Sequence, residues 1–126
     1  MKTILVVEDD PHQGLLYEQE LMDEGYRVLR AMDGCEAIKM VEEHCPDCIV
    51  LDINLPVVNG LDALSIILHQ QPGLPVIINT AYACYQDDFR SWAADAFVLK
   101  SSNLTELKAC IKASLEKAQS ASPREE

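Results

Sequence analysis

Several side chains capable of acid–base and phosphoryl chemistry stand directly after short apolar runs of this 126-residue chain: Glu8, Asp9, Asp52, Thr80 and Lys100. Carboxylates that lie close together repel one another unless a cation or a proton intervenes. A few hard oxygen ligands suit Mg²⁺, which keeps several waters and often shares its shell with phosphate. A hydroxyl and an ammonium beside that ion suit phosphoryl oxygens, and a carboxylate facing them can become the nucleophile that forms an acyl phosphate. The pattern therefore predicts an aspartyl-phosphate site.

The elements that must position these residues are short apolar strands alternating with longer amphipathic helices. The patterns predict strands over 4–7, 26–31, 48–51, 76–78 and 96–99, and helices over 12–24 and 83–92 and through the apolar positions of 37–41, 61–68 and 104–115. Such alternation indicates parallel strands joined by right-handed crossovers. Strands that are apolar on both sides agree, because helices cover both faces of a parallel sheet. The predicted fold is α/β: a single doubly wound (βα)5 domain.

The order of the strands decides whether the acidic residues meet. In a flavodoxin-like order of 2-1-3-4-5, the first and third strands are neighbours, so Glu8, Asp9 and Asp52 converge within a few ångströms. In open α/β sheets of this kind, ligands bind outside the carboxyl ends of the strands. The five-stranded parallel sheet is therefore predicted to hold its site at that edge.

Composition bounds the class of protein. Apolar residues make up 48% of the chain and charged residues 25%, and the formal net charge of −11 makes this domain a poor binder of nucleic acid or anionic membranes. No apolar run reaches the ~18 residues of a membrane span. The odd number of cysteines, five, does not suit a closed disulfide framework. We expect a cytoplasmic protein with a domain over residues 1–118 and a polar, frayed tail over 119–126.

The first helix is predicted to bury one broad apolar face. That face carries Leu15, Leu16, Tyr17, Leu21 and Met22. Pro11 suits the first turn of the helix and Gly25 its end.

Residues 4–115 resemble a receiver domain of two-component response regulators, of the chemotaxis-regulator type. The resemblance rests on four segments in order, residues 4–10, 46–60, 76–81 and 95–100, which read ILVVEDD, PDCIVLDINLPVVNG, VIINTA and DAFVLK. It implies that Asp52 accepts a phosphoryl group from the phosphohistidine of a sensor histidine kinase or a phosphotransfer protein. It also implies that Thr80 and Lys100 contact the phosphoryl oxygens.

The same resemblance implies a metal site and a switch. Mg²⁺ would be bound by the side chains of Asp9 and Asp52 and by the backbone carbonyl of Asn54, with Glu8 more distant. Phe97 matches an aromatic position that changes rotamer when the threonine moves toward the phosphate. The chain would act as a phosphoacceptor that assists its own phosphorylation and dephosphorylation, not as an enzyme, and would switch a surface for a downstream protein partner that the sequence does not identify.

Three positions depart from the family pattern. Glu8 stands in place of the commoner Asp and keeps the charge. Phe97 lacks a phenolic hydroxyl, so a hydrogen bond of that group cannot select its rotamer. Ser101 replaces the proline that usually follows the lysine through a cis bond. Because a cis bond costs roughly 2.5–4 kcal/mol before a residue other than proline, we expect the Lys100–Ser101 bond to be trans.

Two other functions use similar residues. A degenerate receiver would serve only as a protein-interaction module, but the acidic, hydroxyl and lysine residues are intact. A phosphohydrolase with an aspartate nucleophile would want a second aspartate close after it, and position 54 is Asn. A flavin-binding module of similar topology is disfavoured because Glu8-Asp9-Asp10 stands where a phosphate cradle would be.

A pair of cysteines and a stripe of aromatic residues can each be explained by packing as well as by function. Cys45 and Cys48 form a C-x-x-C pair, but zinc wants four ligands and Cys48 opens a strand, so it is predicted to be a small core residue. A stripe of aromatic residues is predicted to pack on the sheet or to dock a partner: Tyr82, Tyr85, Phe89 and Trp92.

Overall fold

Five strands and four helices make up the part of the chain that the computed structural model describes, residues 1–52, 60–81, 96–100 and 104–120, with only the backbone described at 60–61 and 118–120. The strands are β1 (Thr3–Val7), β2 (Arg27–Ala31), β3 (Cys48–Leu51), β4 (Val76–Thr80) and β5 (Ala96–Leu99). The helices are α1 (Pro11–Asp23), α2 (Gly34–His44), α3 (Gly60–Gln70) and α4 (Thr105–Ser120). The helix predicted near 83–92, with its aromatic stripe, lies outside the described residues.

The strands form one parallel sheet in the order β2-β1-β3-β4-β5, which confirms the predicted topology. Its register matters for the site, because Val7 of β1 lies opposite Leu51 of β3. The amide of Asp52 continues that ladder by donating to the Val7 carbonyl at 3.1 Å. Glu8 and Asp52 therefore leave neighbouring strands at the same level.

Two apolar layers cover the two faces of the sheet, as a doubly wound fold requires. Successive side chains of a strand point to opposite faces, so Ile4 and Val6 pack toward α1 and α4 while Leu5 and Val7 pack toward α2 and α3. Cys48 is fully buried in the first of these layers, which confirms its predicted place in the core. The described helices include none with the length and apolar character needed to cross a membrane.

Helix α1 starts and stops at residues suited to those positions. Asp10 is the N-cap, and its side chain accepts hydrogen bonds from the amides of His12 and Gln13 while Pro11 takes the first helical position. At the other end the Gly25 backbone has φ +94°, a left-handed conformation that glycine adopts without a steric penalty. These local signals fix where α1 begins, immediately after the acidic segment.

The predicted buried face of α1 is wrong in part. Tyr17 and Leu21 are buried, but Leu15, Leu16 and Met22 are 46%, 42% and 55% exposed. The helix contacts the sheet along a narrow stripe that also includes Gly14, and a helix resting on only one neighbouring layer leaves the side chains beside that stripe in solvent.

Helix α4 closes the same side of the sheet. Its predicted inner residues are all buried: Leu104, which precedes the helix, with Leu107, Ile111 and Leu115. The helix extends to Ser120, while residues 121–126 lie outside the described part of the chain. The division into a domain over 1–118 and a tail stays a prediction.

Candidate functional site

The carboxylates of Glu8, Asp9 and Asp52 meet at the carboxyl edge of the sheet. One oxygen from each lies within 4.8 Å of the others. Glu8 and Asp52 are buried, with 4% and 5% of their surface exposed, whereas Asp9 faces solvent. The parallel register of β1 and β3 produces this cluster, because both strands end at the same edge.

Lys100 lies between the two buried carboxylates. Its Nζ is 2.7 Å from Glu8 Oε1 and 2.8 Å from Asp52 Oδ2. The residue follows β5 directly, and its backbone amide donates to the Thr80 carbonyl at 2.8 Å. This hydrogen bond to the end of β4 fixes the position of the Lys100 backbone. From there the side chain extends along the edge of the sheet to Glu8 and Asp52.

Burial and pairing shift the titration of these groups. Burial raises the pKa of the Glu8 carboxyl above its ordinary value, although Lys100 and the Asp10 amide, which donates to Glu8 Oε2 at 3.2 Å, oppose the shift. Burial alone would lower the pKa of Lys100, but its hydrogen bond to Asp52 and its ion pair with Glu8 outweigh burial and raise that pKa. Lys100 is therefore an ammonium at physiological pH.

An open cleft of about 310 Å³ exposes the cluster to solvent. Its lining consists of Glu8, Asp9, Asp10, Gln13, Asp52, Ala81 and Lys100. Gln13 is a cleft residue that the sequence patterns did not indicate. Its position in the first turn of a helix that starts directly after the acidic segment is the signal that could have indicated it. The Gln13 amide oxygen is buried and has no hydrogen-bond partner among the described residues.

Thr80 and Phe97 lie beside the cluster rather than in the cleft. Thr80 is fully buried at the end of β4, and the following residue, Ala81, is the one that lines the cleft. Phe97 is half-buried, lies opposite Ile78 in the sheet register and packs against the apolar layer under α2 and α3. Thr80 follows Ile78 by two residues, so strand alternation places its side chain on the same face as Phe97.

Two predicted features fall outside the described residues. They are the Asn54 carbonyl as a metal ligand and the trans bond between Lys100 and Ser101. Both stay predictions.

The donor set fits a small hard cation. Three carboxylates and one ammonium leave excess negative charge, and the oxygens belong to the class that Mg²⁺ prefers. Asp9 faces solvent, so an ion bound there could retain waters, as Mg²⁺ usually does in proteins.

Comparison with known proteins agrees with this architecture. Residues 4–112 match the family model described as the response regulator receiver domain. The chain is 36% identical over 83% of its length to the probable transcriptional regulatory protein TcrX of Mycobacterium tuberculosis, covering 46% of that protein. The crystal structure of response regulator protein TrrA from Thermotoga maritima in complex with Mg²⁺-BeF is similar with a TM-score of 0.88 and 40% identity, over 90% of this chain and 99% of that one.

A second crystal structure, of histidine kinase ThkA in complex with TrrA, is similar with a TM-score of 0.86 and 41% identity, over 91% of this chain and 99% of that one. The chain belongs to the receiver domain family of two-component response regulators. It spans about half the length of the curated relatives it matches, such as 53% of the alkaline phosphatase synthesis regulator PhoP of Bacillus subtilis.

Proposed function

We propose that Asp52 accepts a phosphoryl group from the phosphohistidine of a sensor histidine kinase or a phosphotransfer protein. The observation that carries the proposal is the position of the Asp52 carboxylate, which borders the cleft between two other carboxylates and the Lys100 ammonium. The similar protein TrrA has been crystallised with its histidine kinase, which supports a kinase as the donor.

In the transfer step, an Asp52 carboxylate oxygen forms a bond to phosphorus while the phosphorus–nitrogen bond of phosphohistidine breaks. The bonding electron pair leaves with the imidazole, so the step needs no other co-reactant. The Lys100 ammonium already contacts Asp52 Oδ2 at 2.8 Å and can move onto a phosphoryl oxygen, where it would stabilise the charge that develops. Thr80 supplies a hydroxyl to another phosphoryl oxygen in this proposal.

Asp9 and Asp52 would hold Mg²⁺ by their side chains, and Asn54 by its backbone carbonyl. When bound, the ion neutralises charge on the phosphoryl oxygens and orients them. Glu8 would contribute more distantly. Its ion pair with Lys100 supports this assignment, because one of its oxygens is already engaged at 2.7 Å. The Mg²⁺-BeF complex of TrrA supports the choice of metal.

The output of this proposal is a change of surface rather than catalysis on a separate substrate. Movement of Thr80 toward the phosphoryl group would leave space on the face of the sheet that Thr80 and Phe97 share. The Phe97 ring would then change rotamer. That change would bias a docking surface between two states for a downstream protein partner. We propose a cytoplasmic phosphoacceptor, folded over residues 1–118, that does not bind nucleic acid through this domain.

Intact-mass measurement after incubation with acetyl phosphate tests the acceptor. With Mg²⁺ the parent chain should gain one phosphoryl group, and with a chelator it should gain none. Asp52→Asn should gain none under either condition. Asp10→Asn is the matched control, because it removes a second aspartate from the same cleft while asparagine still serves as the N-cap of α1.

Equal labelling of Asp52→Asn and the parent would contradict Asp52 as the acceptor. A parent chain that folds and binds Mg²⁺ but never gains a phosphoryl group would instead favour the degenerate receiver, an interaction module without phosphotransfer.

A further inference from the structure

The side-chain amide of Gln13 is a polar group of the cleft that the proposed phosphotransfer does not use. Gln13 lines the cleft together with Lys100 and the three clustered carboxylates. Its amide oxygen is buried and has no hydrogen-bond partner in the part of the chain that the structure describes. A buried acceptor without a donor destabilises the folded chain, so its presence in this cleft requires an explanation.

The usual structural role of a glutamine at this position is already filled by another residue. Gln13 is the third residue of α1 after the N-cap Asp10, and a glutamine there commonly accepts a hydrogen bond from the N-cap amide. In this chain the Asp10 amide donates to Glu8 Oε2 instead, at 3.2 Å. The Asp10 side chain still accepts from the Gln13 backbone amide, at 3.5 Å. The side chain of Gln13 therefore takes no part in capping α1.

The charges of the cleft indicate which kind of donor this oxygen lacks. Four carboxylates line the cleft, and when ionised they offer only acceptors: Glu8, Asp9, Asp10 and Asp52. The Lys100 ammonium contacts two of them at 2.7 and 2.8 Å. A hydrated cation would supply donors, because Mg²⁺ keeps several of its waters when it binds to a protein. One ion would thus offset the excess negative charge and satisfy the amide oxygen.

We propose that the Gln13 amide oxygen accepts a hydrogen bond from a metal-bound water and thereby strengthens Mg²⁺ binding at the carboxylate cluster. Rotation about the last side-chain bond interchanges the amide oxygen and nitrogen, so the oxygen can turn toward the cleft while α1 stays in place. This inference rests on the metal site of the proposed function. Gln13 is a positioning residue, because it acts on the ion through a water.

The test measures the Mg²⁺ affinity by calorimetry and the denaturant midpoint of unfolding in a chelator. Gln13→Met keeps an unbranched side chain of good helix propensity and removes the amide. It should weaken Mg²⁺ binding roughly three- to tenfold, the factor that one net hydrogen bond is worth. In the chelator its midpoint should be no lower than that of the parent, since the buried acceptor without a donor is gone.

Gln19→Met is the matched control. Gln19 belongs to the same helix, is exposed and is not among the described residues that line the cleft. This substitution should keep both the Mg²⁺ affinity and the midpoint. An equal loss of affinity in Gln19→Met would attribute the effect to α1 as a whole and overturn the inference.

Gln13→Glu distinguishes an acceptor from a donor at this position. An ionised carboxylate can accept the hydrogen bond of a metal-bound water but cannot donate one. Gln13→Glu should therefore bind Mg²⁺ at least as tightly as the parent. In the chelator its midpoint should be lower than that of the parent, because the substitution adds a negative charge to an acidic cleft.

Three results with the Gln13 variants would overturn the inference. The first is an unchanged Mg²⁺ affinity in Gln13→Met. The second is a weakened affinity in Gln13→Met together with a lower midpoint in the chelator, which would indicate a purely structural role. The third is a loss of affinity in Gln13→Glu as large as that in Gln13→Met.

Failure of the proposed function would be seen separately, in the parent chain. A parent that binds Mg²⁺ but is never phosphorylated would contradict phosphotransfer alone, because the role of Gln13 is measured by metal binding. A parent that binds no Mg²⁺ would contradict the metal site itself, and the role of Gln13 with it.

Discussion

At the scale of single residues, Lys100 acts as an internal counter-ion for two buried carboxylates. Its contacts with Glu8 and Asp52 offset part of the repulsion among the three acidic side chains. Asp9 is the cluster member in solvent, and the part of the chain that the structure describes shows no ion pair to it. Removing its charge should therefore relieve repulsion without exposing an unpaired buried group.

We predict that Asp9→Ala loses Mg²⁺ affinity by roughly tenfold or more, since even the outer-shell partners of metal ligands are often worth that much. In a chelator its free energy of unfolding should be no lower than that of the parent. Mg²⁺ calorimetry and denaturant unfolding measure the two quantities. Asp23→Ala, which removes an exposed aspartate at the far end of α1, is the control and should keep the affinity. Equal Mg²⁺ affinity in Asp9→Ala and the parent would contradict Asp9 as a ligand.

Because the pKa of Glu8 is raised, we predict that the stability of the metal-free chain depends on pH. Its pKa is raised in the folded state, chiefly by burial, so its contribution to stability is present below the unfolded pKa of about 4.5 and is lost as the pH rises through the folded value. The free energy of unfolding of the parent should therefore fall relative to that of Glu8→Gln between pH 4 and neutral pH. Denaturant titrations in chelator measure this difference. A difference that grows in favour of the parent as the pH rises would show that Lys100 outweighs burial at Glu8.

At the scale of elements, the ends of β4 and β5 hold the parts of the predicted switch. The register pairs Ile78 with Phe97 and Thr80 with Leu99, so the threonine and the aromatic ring lie on one face of adjacent strands. β5 is the edge strand of the sheet, and its Val98 and Leu99 differ sharply in exposure, one buried and the other 46% exposed. Phe97 is thus placed to respond to a change at Thr80 near the surface of the domain.

We predict that Thr80→Ala uncouples the ring from the phosphoryl site. In the parent, beryllofluoride with Mg²⁺ should shift the NMR signals of the Phe97 ring, because Thr80 moves. In Thr80→Ala that shift should be lost, while Asp52 is still phosphorylated by acetyl phosphate. Thr105→Ala, an exposed threonine at the start of α4, should behave as the parent. If the NMR signals of Phe97 shifted in Thr80→Ala as they do in the parent, the proposed coupling through Thr80 would be contradicted.

At the scale of the whole molecule, α4 completes the layer that also contains Tyr17. Leu107, Ile111 and Leu115 are buried against the sheet from three successive turns of this helix. Lys108 adds contacts to α1, with its Nζ 2.7 Å from Glu20 and 3.7 Å from Glu24. Exposed ion pairs of this kind contribute little, so the apolar side chains account for most of the stability that α4 adds.

We predict that a chain of residues 1–118 keeps the free energy of unfolding of the full chain within about 0.5 kcal/mol, because residues 119–126 are polar. A chain ending at residue 110 loses Ile111 and Leu115, each worth roughly 2–5 kcal/mol when a buried aliphatic side chain is truncated. Since such domains have only about 5–15 kcal/mol in total, the shorter chain should unfold at low denaturant. Denaturant unfolding compares the three lengths. A large loss in the 1–118 chain would show that the tail belongs to the domain.

The sequence alone was sufficient to predict the fold and the convergence of the three carboxylates of Glu8, Asp9 and Asp52. Residues 48–51 and 76–78 are continuous apolar runs, which indicates strands covered on both faces and hence a parallel, doubly wound sheet. Parallel strands end at a common edge, so the carboxylates that follow β1 and β3 had to meet once those strands were neighbours. The family assignment rested on the same strand-end residues, and the match over residues 4–112 confirms it.

Other features depended on side-chain reach and on neighbours that are distant along the chain. Helical periodicity groups Leu15 and Met22 with Leu21, but the tertiary contact is narrower than that face and leaves the first two exposed. Lys100 spans from the end of β5 to Glu8 because its backbone is held by the Thr80 carbonyl, a contact between strands. Periodicity is local and predicts which elements form, whereas the pairing of Lys100 with Glu8 and Asp52 is decided only when the strands assemble into one sheet.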